Sequence, residues 1–343
     1  MPCGVRVTTE TLQDTEEQLV LAFLEDGVDD FTSGEALSNK LGLSRAEIWR
    51  HVESLRSKGY RIEAVPARGY RLLEAPDRIS PLEIAPHLNT REIGRLIHYR
   101  EVVKSTNELA FRLAAEGGGH GEVVIAEEQT EGKGRRGRTW ISPPGLNLYF
   151  SVILRPELAP QRAAELTLVA AVAGVEALRA LGAAAEIKWP NDLVIGEQKV
   201  GGILTELSSD PDRIHFAVLG MGVNLNGSPS QSSPELAGRA TSVAEATGKT
   251  VRRAQFAVDL WLRLESWMDL HAEEGFAKVR DAWRESCATM RKRVSVETGT
   301  DQLVGIAEDI DESGALLLRT EDGGLQPIFA GDVEHVRSWA KQR

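Results

Sequence analysis

Residues 129–140 read Gln-Thr-Glu-Gly-Lys-Gly-Arg-Arg-Gly-Arg-Thr-Trp, and this stretch carries more information about the fold than any other part of the chain. Four cations and one carboxylate give it a net charge of +3, whereas the whole chain carries −11. Cations spaced by glycines suit a loop that closes over a polyanion, because backbone amides and side chains can both turn towards phosphate. Trp140 adds a flat apolar face on which a nucleobase could stack. Charge and glycine alone leave an ordinary solvated basic loop as the alternative.

Two common nucleotide-binding motifs do not explain this loop. Residues 132–137 satisfy the spacing GxGxxG, but the dinucleotide form of that motif opens a helix directly after a strand. Here Pro143 and Pro144 follow closely and prevent a helix. The phosphate loop also fails, since no Gly-Lys-Ser or Gly-Lys-Thr lies at the required spacing from a preceding glycine. The loop is therefore interpreted together with the motifs that surround it.

The composition suits a globular protein of two or three domains, with 343 residues of which 42% are hydrophobic. The net charge of −11 argues against wholesale coating of nucleic acid but permits a local basic face. Cys3 and Cys287 fit neither a metal nor a disulfide pattern, which is typical of a reducing cytoplasm. No signal segment is evident in the first thirty residues, and the longest apolar run, 166–175, is about half the ~20 residues that a membrane span needs. We therefore expect a cytoplasmic protein that does not enter a membrane.

Residues 1–78 are expected to form a winged helix-turn-helix. The third helix has the clearest start signal, a capping box from Ser44 to Glu47, and its residues Ile48, Val52 and Leu55 recur on one face. A hairpin follows around the turn 66–68. The predicted helices cover 16–25, 34–41 and the segment from 45 to 58, and the predicted strands cover 60–65 and 69–73.

The same unit has a basic surface that suits DNA. Between Ser38 and Leu72 the chain has eight Lys or Arg and three Glu, a net charge of +5. This balance favours a recognition helix in the major groove with a wing over phosphates. Arg45 and Arg50 on the third helix and Arg68 in the hairpin turn are the candidate DNA contacts. A helical protein-interaction module with an ordinary charged surface is the alternative.

Beyond a linker at about 75–81, two further domains are expected. Residues 79–288 mix strands and helices, and residues 289–343 show short alternating strands separated by turns at 311–314 and 321–324, as in a small β-barrel. The overall class is therefore α+β. The predicted central strands are 122–126, 146–154, 185–188, 193–195 and 214–219, the central helices 162–181 and 252–271, and the C-terminal strands 294–296, 303–306 and 316–318.

Three more segments accompany the glycine-rich loop. Residues 105–108, Ser-Thr-Asn-Glu, are interpreted as a capping box whose hydroxyls and amide could bind a small polar ligand, with a plain helix cap as the alternative. Residues 188–193, Lys-Trp-Pro-Asn-Asp-Leu, place polar groups at a strand end because Pro190 prevents a regular helix. Residues 199–204, Lys-Val-Gly-Gly-Ile-Leu, put a lysine before two glycines that permit close approach of a ligand. Alone, Lys199 would be taken for a surface lysine.

In this order and spacing, the four segments resemble the motifs of the biotin–protein ligases, and specifically of the bifunctional bacterial type that is also the biotin operon repressor. The resemblance covers nearly the whole chain. It implies a central ligase domain of class II synthetase type and a C-terminal SH3-like β-barrel. It also implies a two-step reaction, in which the carboxylate of biotin attacks the α-phosphate of ATP and a lysine of a biotin carboxyl carrier protein of acetyl-CoA carboxylase then displaces AMP. Mg²⁺ should accompany ATP.

The resemblance further assigns roles to individual residues. It makes Lys199 and Arg135 catalytic, by charge neutralisation and positioning rather than as nucleophiles. No dedicated metal ligands are assigned, and Asp192 is left open between a structural and a catalytic role. Two departures are Lys133, where the family commonly has Arg, and Glu131, a carboxylate inside the anion-binding loop. The implied biotin-binding residues are Ser105, Thr106, Asn107, Gln129, Lys133, Gly134, Arg135, Lys199 and Gly202. The implied nucleotide-binding residues are Arg135, Arg136, Arg138, Trp140, Lys188, Asn191 and Asn224.

Three alternatives remain at this point. The chain could be a transcription factor that senses biotin without transferring it, although Lys199 and Arg135 favour an adenylation centre. It could be a ligase whose winged helix never meets DNA. It could attach lipoate, although the pair Ser105 and Thr106 favours a ureido ring. If both activities are present, the adenylate is expected to favour a homodimer that pairs two winged helices on a two-fold operator.

Overall fold

The structure, a computed structural model, describes residues 12–27, 30–298, 301–329 and 331–335. Its N-terminal unit confirms the order helix, helix, capped helix and hairpin. Ser33 caps the second helix and Gly42 ends it at φ 72°. The capping box of the third helix is confirmed, since Glu47 N donates to Ser44 Oγ and Ser44 N donates to Glu47 Oε2. The elements are α1 (Leu12–Asp26), α2 (Gly34–Leu41), α3 (Arg45–Ser57), β1 (Arg61–Val65) and β2 (Gly69–Glu74).

The N-terminal unit has its own apolar core. The predicted face of α3, Ile48, Val52 and Leu55, is fully buried within it. Leu82, from the first turn after the linker, inserts into the same core, and Tyr60 donates a 2.5 Å hydrogen bond to Glu83. These contacts join the winged helix to the short helix α4 (Pro81–Ile84) of the next domain.

The central domain is built on a seven-stranded sheet in which only the first pair of strands is parallel. The strand order is β3-β4-β5-β9-β8-β7-β6. The strands are β3 (Ile97–Val103), β4 (Val123–Gln129), β5 (Leu148–Leu154), β6 (Ala185–Lys188), β7 (Asp192–Ile195), β8 (Gln198–Ser209) and β9 (Ile214–Val223). Neither β3 nor β8 was predicted, and the segment Lys199 to Leu204 lies inside β8.

Helices cover both faces of this sheet. The strongly apolar α6 is buried almost throughout and packs with α9 and α10 on one face. On the other face, α5 packs against Val124, Ile153 and Phe216 in a separate small core. The helices of this domain are α5 (Thr106–Ala115), α6 (Ala164–Ala180), α7 (Pro229–Ser232), α8 (Val243–Thr247), α9 (Arg253–Glu274) and α10 (Phe276–Ser286).

The C-terminal unit is a β-sheet domain, but its described strands do not close into the barrel that was expected. They form an open five-stranded antiparallel sheet in the order β13-β12-β11-β10-β14. Val294, Leu316 and Val333 share one apolar core with the central domain, so the two units pack together. The strands are β10 (Arg293–Thr298), β11 (Asp301–Ile310), β12 (Leu316–Thr320), β13 (Leu325–Ile328) and β14 (Asp332–His335).

Among the helices in the described part of the chain, none combines the length and apolar character needed to cross a membrane. Burial raises the pKa of the Cys287 thiol to about 11, while Cys3 lies outside the described residues.

Candidate active site

The four motifs meet around one cavity of about 1030 Å³. It opens between the glycine-rich loop, the start of α5, the strands β7 to β9 and the loop 226–241, with Glu297 and Val333 of the C-terminal sheet in its wall. Of the predicted ligand-binding residues, Arg136 is the one that does not line it. The predicted residues in the lining are Ser105, Thr106, Asn107, Gln129, Lys133, Gly134, Arg135, Arg138, Trp140, Lys188, Asn191, Lys199, Gly202 and Asn224.

The glycine-rich loop folds back on itself like a hairpin, with two isolated antiparallel bridges between its arms. Isolated bridges join Gln129 to Ser142 and Lys133 to Thr139. Its tip is a short 3₁₀ turn in which Arg136 adopts φ 55° and Gly137 φ 73°. The backbone passes close to itself at Gly132, where a Cβ would lie 2.3 Å from the carbonyl oxygen of Trp140. Only glycine fits there, so the glycine spacing shapes the loop as well as exposing its amides.

The charged side chains of the loop have separate partners. Lys133 pairs with Glu108 at 3.3 Å, and Glu131 pairs with Lys104 at 3.1 Å. Glu131, whose carboxylate was a departure from the family pattern, is not part of the cavity lining. Arg135 donates to Asn191 Oδ1 at 2.9 Å, which fastens the loop to the turn between β6 and β7.

Two arginines of the loop also reach the C-terminal sheet. Arg135 donates to the carbonyl of Gly331 at 3.4 Å, and Arg136 donates to the carbonyl of Glu297 at 3.1 Å. Arg136 therefore lies on the domain contact, whereas Arg135 faces the cavity as well.

The deep end of the cavity is polar and densely hydrogen-bonded. Gln129 Oε1 accepts from the backbone nitrogen of Thr106 at 2.8 Å, and Ser151 lies 2.9 Å from the Thr106 hydroxyl. The capping box predicted at Ser105 is wrong: Ser105 stands at the cap position, but its side chain makes no cap hydrogen bond. Gln129 satisfies the first amide of α5 instead, and Glu108 is drawn to Lys133.

Lys199 is part of the cavity wall. Its Nζ is 2.5 Å from Asp192 Oδ1 on the neighbouring strand and 5.4 Å from the centre of the Trp140 ring. Gly202 leaves room for it, because a Cβ there would lie 3.1 Å from Nζ. The register of β7 and β8 shifts by one residue between Leu193 and Val194, and here one cation and one carboxylate lie side by side in a half-buried position.

Trp140 and Asn224 shape the remaining wall. The indole of Trp140 lies over Gly222, where a Cβ would be only 2.5 Å from the ring, and its buried Nε1 has no hydrogen-bond partner among the described residues. Asn224 donates to the carbonyl of Thr241 and so holds the loop 226–241 against the cavity. The Trp189–Pro190 peptide preceding Asn191 is cis.

Part of this site lies outside the sequence motifs. Ser142 and Ser151 complete the hydrogen bonding of Gln129 and Thr106, yet no motif singles them out. The loop 226–241 contributes Pro229, Glu235 and Arg239 to the lining, and its sequence signal is a run of turn formers.

The candidate DNA contacts are exposed on the N-terminal unit. The side chains of Arg45 and Arg50 are 75% and 59% exposed, and each pairs with a glutamate, Glu35 and Glu47 respectively. Arg68 lies over the ring of Phe31 at 4.1 Å. Three glutamates that lie outside the segment 38–72 pair with cations of that segment and lower the net positive charge of this face. They are Glu17, Glu35 and Glu74.

Comparison with known proteins agrees with this architecture. Residues 99–224 match the biotin/lipoate A/B protein ligase family, residues 292–336 the biotin protein ligase C terminal domain, and residues 16–71 an HTH domain. The fold and the cavity are therefore those of a ligase of the biotin/lipoate class joined to a helix-turn-helix unit.

Individual proteins with similar sequences or structures specify the family within this class. The bifunctional ligase/repressor BirA of Bacillus subtilis is 36% identical over 319 residues, 93% of this chain and 98% of that protein. The biotin–[acetyl-CoA-carboxylase] ligase of Paracoccus denitrificans is 40% identical over 233 residues, 67% of this chain and 96% of that protein. The biotin protein ligase of Aquifex aeolicus, solved with biotin and ATP, superimposes with a TM-score of 0.61 at 28% identity, covering 73% of this chain and all of that chain. The chain belongs to the bifunctional biotin ligase/repressor family, which confirms the resemblance inferred from its motifs.

Proposed function

We propose that this protein activates biotin as biotinyl-5′-AMP with ATP and transfers it to a lysine of a biotin carboxyl carrier protein, such as that of acetyl-CoA carboxylase. The observation that carries the proposal is the position of Lys199. Its ammonium lies in one cavity with a polar end at Thr106 and Gln129 and with the cationic loop around Arg135. A carboxylic acid with a polar ring and a nucleotide would meet at this cation.

The residues act by positioning and by charge. In the first step the carboxylate of biotin attacks the α-phosphate of ATP and pyrophosphate leaves. Negative charge accumulates where carboxylate and phosphate meet, and the ammonium of Lys199 offsets it. Asp192 holds that ammonium in place at 2.5 Å. Arg135 and the loop amides would cover the acid and the phosphate, which retains the reactive adenylate. Trp140, Arg138, Lys188, Asn191 and Asn224 would form the nucleotide side, and in the second step the carrier lysine displaces AMP without an enzyme nucleophile.

Mg²⁺ would enter with the nucleotide. Within the described residues no group of three or more His, Cys, Asp or Glu side chains could hold a metal ion. A Mg²⁺ ion that is held mainly by the phosphates of ATP and by water, as is usual for this ion, does not need such a group. When bound, it would neutralise part of the triphosphate charge.

A mass spectrum of an apo biotin carrier domain tests the ligase directly. After incubation with the protein, biotin, ATP and Mg²⁺, the carrier should gain one biotinyl group. Lys199→Ala should slow the transfer by about 10²–10³-fold, the usual effect of removing one stabilising group. Lys249→Ala, on the exposed turn after α8, should transfer at the normal rate. Biotin binding without any transfer by the wild type would leave a biotin-sensing transcription factor as the function.

The repressor activity is the second part of the proposal. The helix-turn-helix match and the exposed Arg45, Arg50 and Arg68 support binding of operator DNA, with the hairpin as the wing. The surface ion pairs of Arg45 and Arg50 are weak enough to be exchanged for phosphate contacts. Operator affinity should fall steeply with salt. Affinity that is low and independent of salt would indicate a winged helix that never meets DNA.

Several finer features belong to the same proposal. We propose domains at residues 1–78, 79–288 and 289–343, with a class II synthetase-type ligase domain in the centre and an SH3-like architecture for the last unit. We also propose a cytoplasmic location. A homodimer that forms when the adenylate is bound would pair two winged helices on a two-fold operator. Sedimentation with and without biotin and ATP tests it, since an unchanged mass at every concentration contradicts the dimer.

Lipoate is the competing acid, because the matched family includes lipoate ligases. The polar end of the cavity at Thr106 and Gln129 favours a ring with hydrogen-bonding edges over a dithiolane. Comparing the two acids as substrates with their apo carrier domains decides between them.

A further inference from the structure

The deep end of the cavity contains a chain of hydrogen bonds whose direction follows from the donors and acceptors present. It begins at Asn107, whose Nδ2 lies 3.2 Å from the carbonyl oxygen of Leu204 and 2.9 Å from Glu206 Oε2. A backbone carbonyl can only accept, so the amide nitrogen must face it. The oxygen Oδ1 of Asn107 is thereby turned towards Ser151.

The orientation of Asn107 determines which way the Ser151 hydroxyl donates, and so how Ser151 meets Thr106. Its hydroxyl is fully buried and lies 2.6 Å from Asn107 Oδ1, which has no proton to give. The single proton of Ser151 is therefore donated to Asn107. What Ser151 presents to the Thr106 hydroxyl, 2.9 Å away, is a lone pair. Asn107 is held in place by β9, because a Cβ on Gly220 would lie 1.7 Å from its oxygen.

The other neighbour of Thr106 is fixed independently. Gln129 Oε1 accepts from the backbone nitrogen of Thr106 at 2.8 Å, and Gln129 Nε2 donates to Ser142 Oγ at 2.9 Å. Gln129 Oε1 lies 3.1 Å from the Thr106 hydroxyl and can only accept. The hydroxyl of Thr106 thus lies between two acceptors, and its proton is held inside the protein.

We infer that Ser151, Asn107 and Glu206 are positioning residues that make the Thr106 hydroxyl a hydrogen-bond acceptor towards the cavity. The ligand group that meets Thr106 must then carry an N–H donor. This inference rests on the proposed function, in which a ring N–H of biotin supplies that donor, whereas a dithiolane has none. Ser151 and Glu206 do not line the cavity and act only through their neighbours.

The test uses ligands that differ in one donor. The substrates are biotin, two analogues in which one or the other ring N–H is replaced by oxygen, and dethiobiotin, which keeps both N–H groups. For the wild type, one of the oxygen analogues should show a KM about 100-fold above that of biotin, because a site built for a polar contact strongly rejects the analogue that lacks it. Dethiobiotin should not show this penalty, and kcat should change little.

The variant Ser151→Ala tests whether Ser151 directs the Thr106 proton, because loss of a purely structural contact would not change the ratio of the KM values for the two ligands. Without the Ser151 lone pair, the proton of Thr106 is freer to turn towards the ligand, so the KM ratio of oxygen analogue to biotin should fall below about 10. Thr205→Ala is the matched control. Thr205 lies on β8 of the same sheet but outside the cavity lining, and the change removes its 2.8 Å hydroxyl contact with Thr167 of α6. That control should keep the wild-type ratio.

The outcomes separate the two ideas. A wild type that uses both oxygen analogues as well as biotin overturns the inference, and so does a Ser151→Ala variant that keeps the wild-type ratio. If Ser151→Ala does not fold, Ser151→Cys keeps the size with a poor hydrogen-bonding group and should lower the ratio in the same direction. Failure of the wild type to transfer biotin itself would instead contradict the proposed function.

Discussion

The backbone of β9 passes directly beneath the indole of Trp140 at Gly222, and this contact makes a prediction at the scale of one residue. A Cβ at Gly222 would lie 2.5 Å from two ring atoms, so Gly222→Ala must displace the ring. If the ring is the platform for the nucleobase, the KM for ATP should rise by about 10-fold, in line with the loss of one stacking contact. Steady-state carrier biotinylation at varied ATP measures this.

A matched glycine provides the control for that prediction. Gly34 lies in α2, where the nearest atom to an added Cβ is 3.7 Å away, so Gly34→Ala should leave the KM for ATP unchanged. A wild-type KM for ATP in Gly222→Ala would show that Trp140 does not stack on the nucleobase.

Single residues also show why sequence reasoning succeeded for only part of the site. Thr106 and Gln129 belong to motifs, because each lies in a short run of polar residues that no core requires. Ser151 is a lone serine in the buried strand β5, and its partner Thr106 is 45 residues away in the chain. A hydrogen bond between a strand and a helix start that are far apart in the chain leaves no local sequence pattern.

At the scale of elements, the glycine-rich loop separates two neighbouring arginines. Arg135 reaches Asn191 at the strand end, whereas Arg136 reaches Glu297 of the C-terminal sheet and does not line the cavity. Arg135→Ala should release biotinyl-5′-AMP into solution at least about 10-fold faster, since one charge-assisted contact is lost. Chromatography of the free adenylate in the absence of carrier measures the leak.

Arg136→Ala is the matched variant for this loop. Because its guanidinium is directed to the domain contact, the variant should release the adenylate at the wild-type rate. Equal leakage from both variants would show that the loop acts through its total charge and not through the contact of Arg135 with Asn191.

The junction of α6 and α9 carries a pH-dependent prediction. Burial alone would raise the pKa of Glu165, but hydrogen bonds from His271 and Arg162 outweigh it and hold the pKa below the usual 4.5. A lowered pKa in the folded state adds stability above pH 4.5, and this stability is lost as the pH falls through the folded pKa.

Glu165→Gln should therefore destabilise the protein by about 3 kcal/mol at pH 7, because the buried His271 and the exposed Arg162 both lose their carboxylate partner. The difference from the wild type should shrink below pH 4.5, which urea unfolding at pH 7 and pH 3.5 can measure. Glu308→Gln, at an exposed pair with Arg319, is the control and should unfold near the wild-type midpoint at both pH values. A difference that stays constant between the two pH values would show that the Glu165 carboxylate does not stabilise the fold through its lowered pKa.

Elements with a strong local pattern were predicted well, and those without one were not. The bounds of α2 and β6 agree residue for residue, because a cap or a proline ends each. The strand β8 was missed because two glycines interrupt it and its polar and apolar residues do not alternate. Its pairing with β7 and β9 is what makes it a strand. The closure of the C-terminal sheet was predicted from turn spacing, which cannot determine whether the edge strands pair.

At the scale of the whole molecule, the linker after the winged helix is fastened into the central domain. Arg253 is 1% exposed and donates from Nε to Asp77 and from Nη1 to Glu127, both within 2.9 Å. Its backbone nitrogen also donates to Asp77. Glu127 in turn accepts from the backbone of Ile79. Asp77 therefore belongs energetically to the ligase domain, although it lies in the linker.

This anchor makes a prediction about where the ligase can be separated from the winged helix. The matches to the HTH domain and to the biotin/lipoate A/B protein ligase family cover separate parts of the chain, residues 16–71 and 99–224. A chain that begins at residue 75 should keep biotin transfer within about threefold of the full chain, because the side chains that line the cavity all remain. Its binding to DNA should be lost.

A chain that begins at residue 79 should be less stable than the one that begins at 75 by about 3 kcal/mol, since the buried guanidinium of Arg253 then loses one of its two carboxylates. Urea unfolding of both chains, with biotin transfer measured in parallel, compares them. Adding Arg253→Met to the shorter chain removes the charge that lacks its partner and should recover part of the difference. Equal midpoints for the two chains would show that Asp77 is an ordinary linker residue and that Glu127 alone balances Arg253.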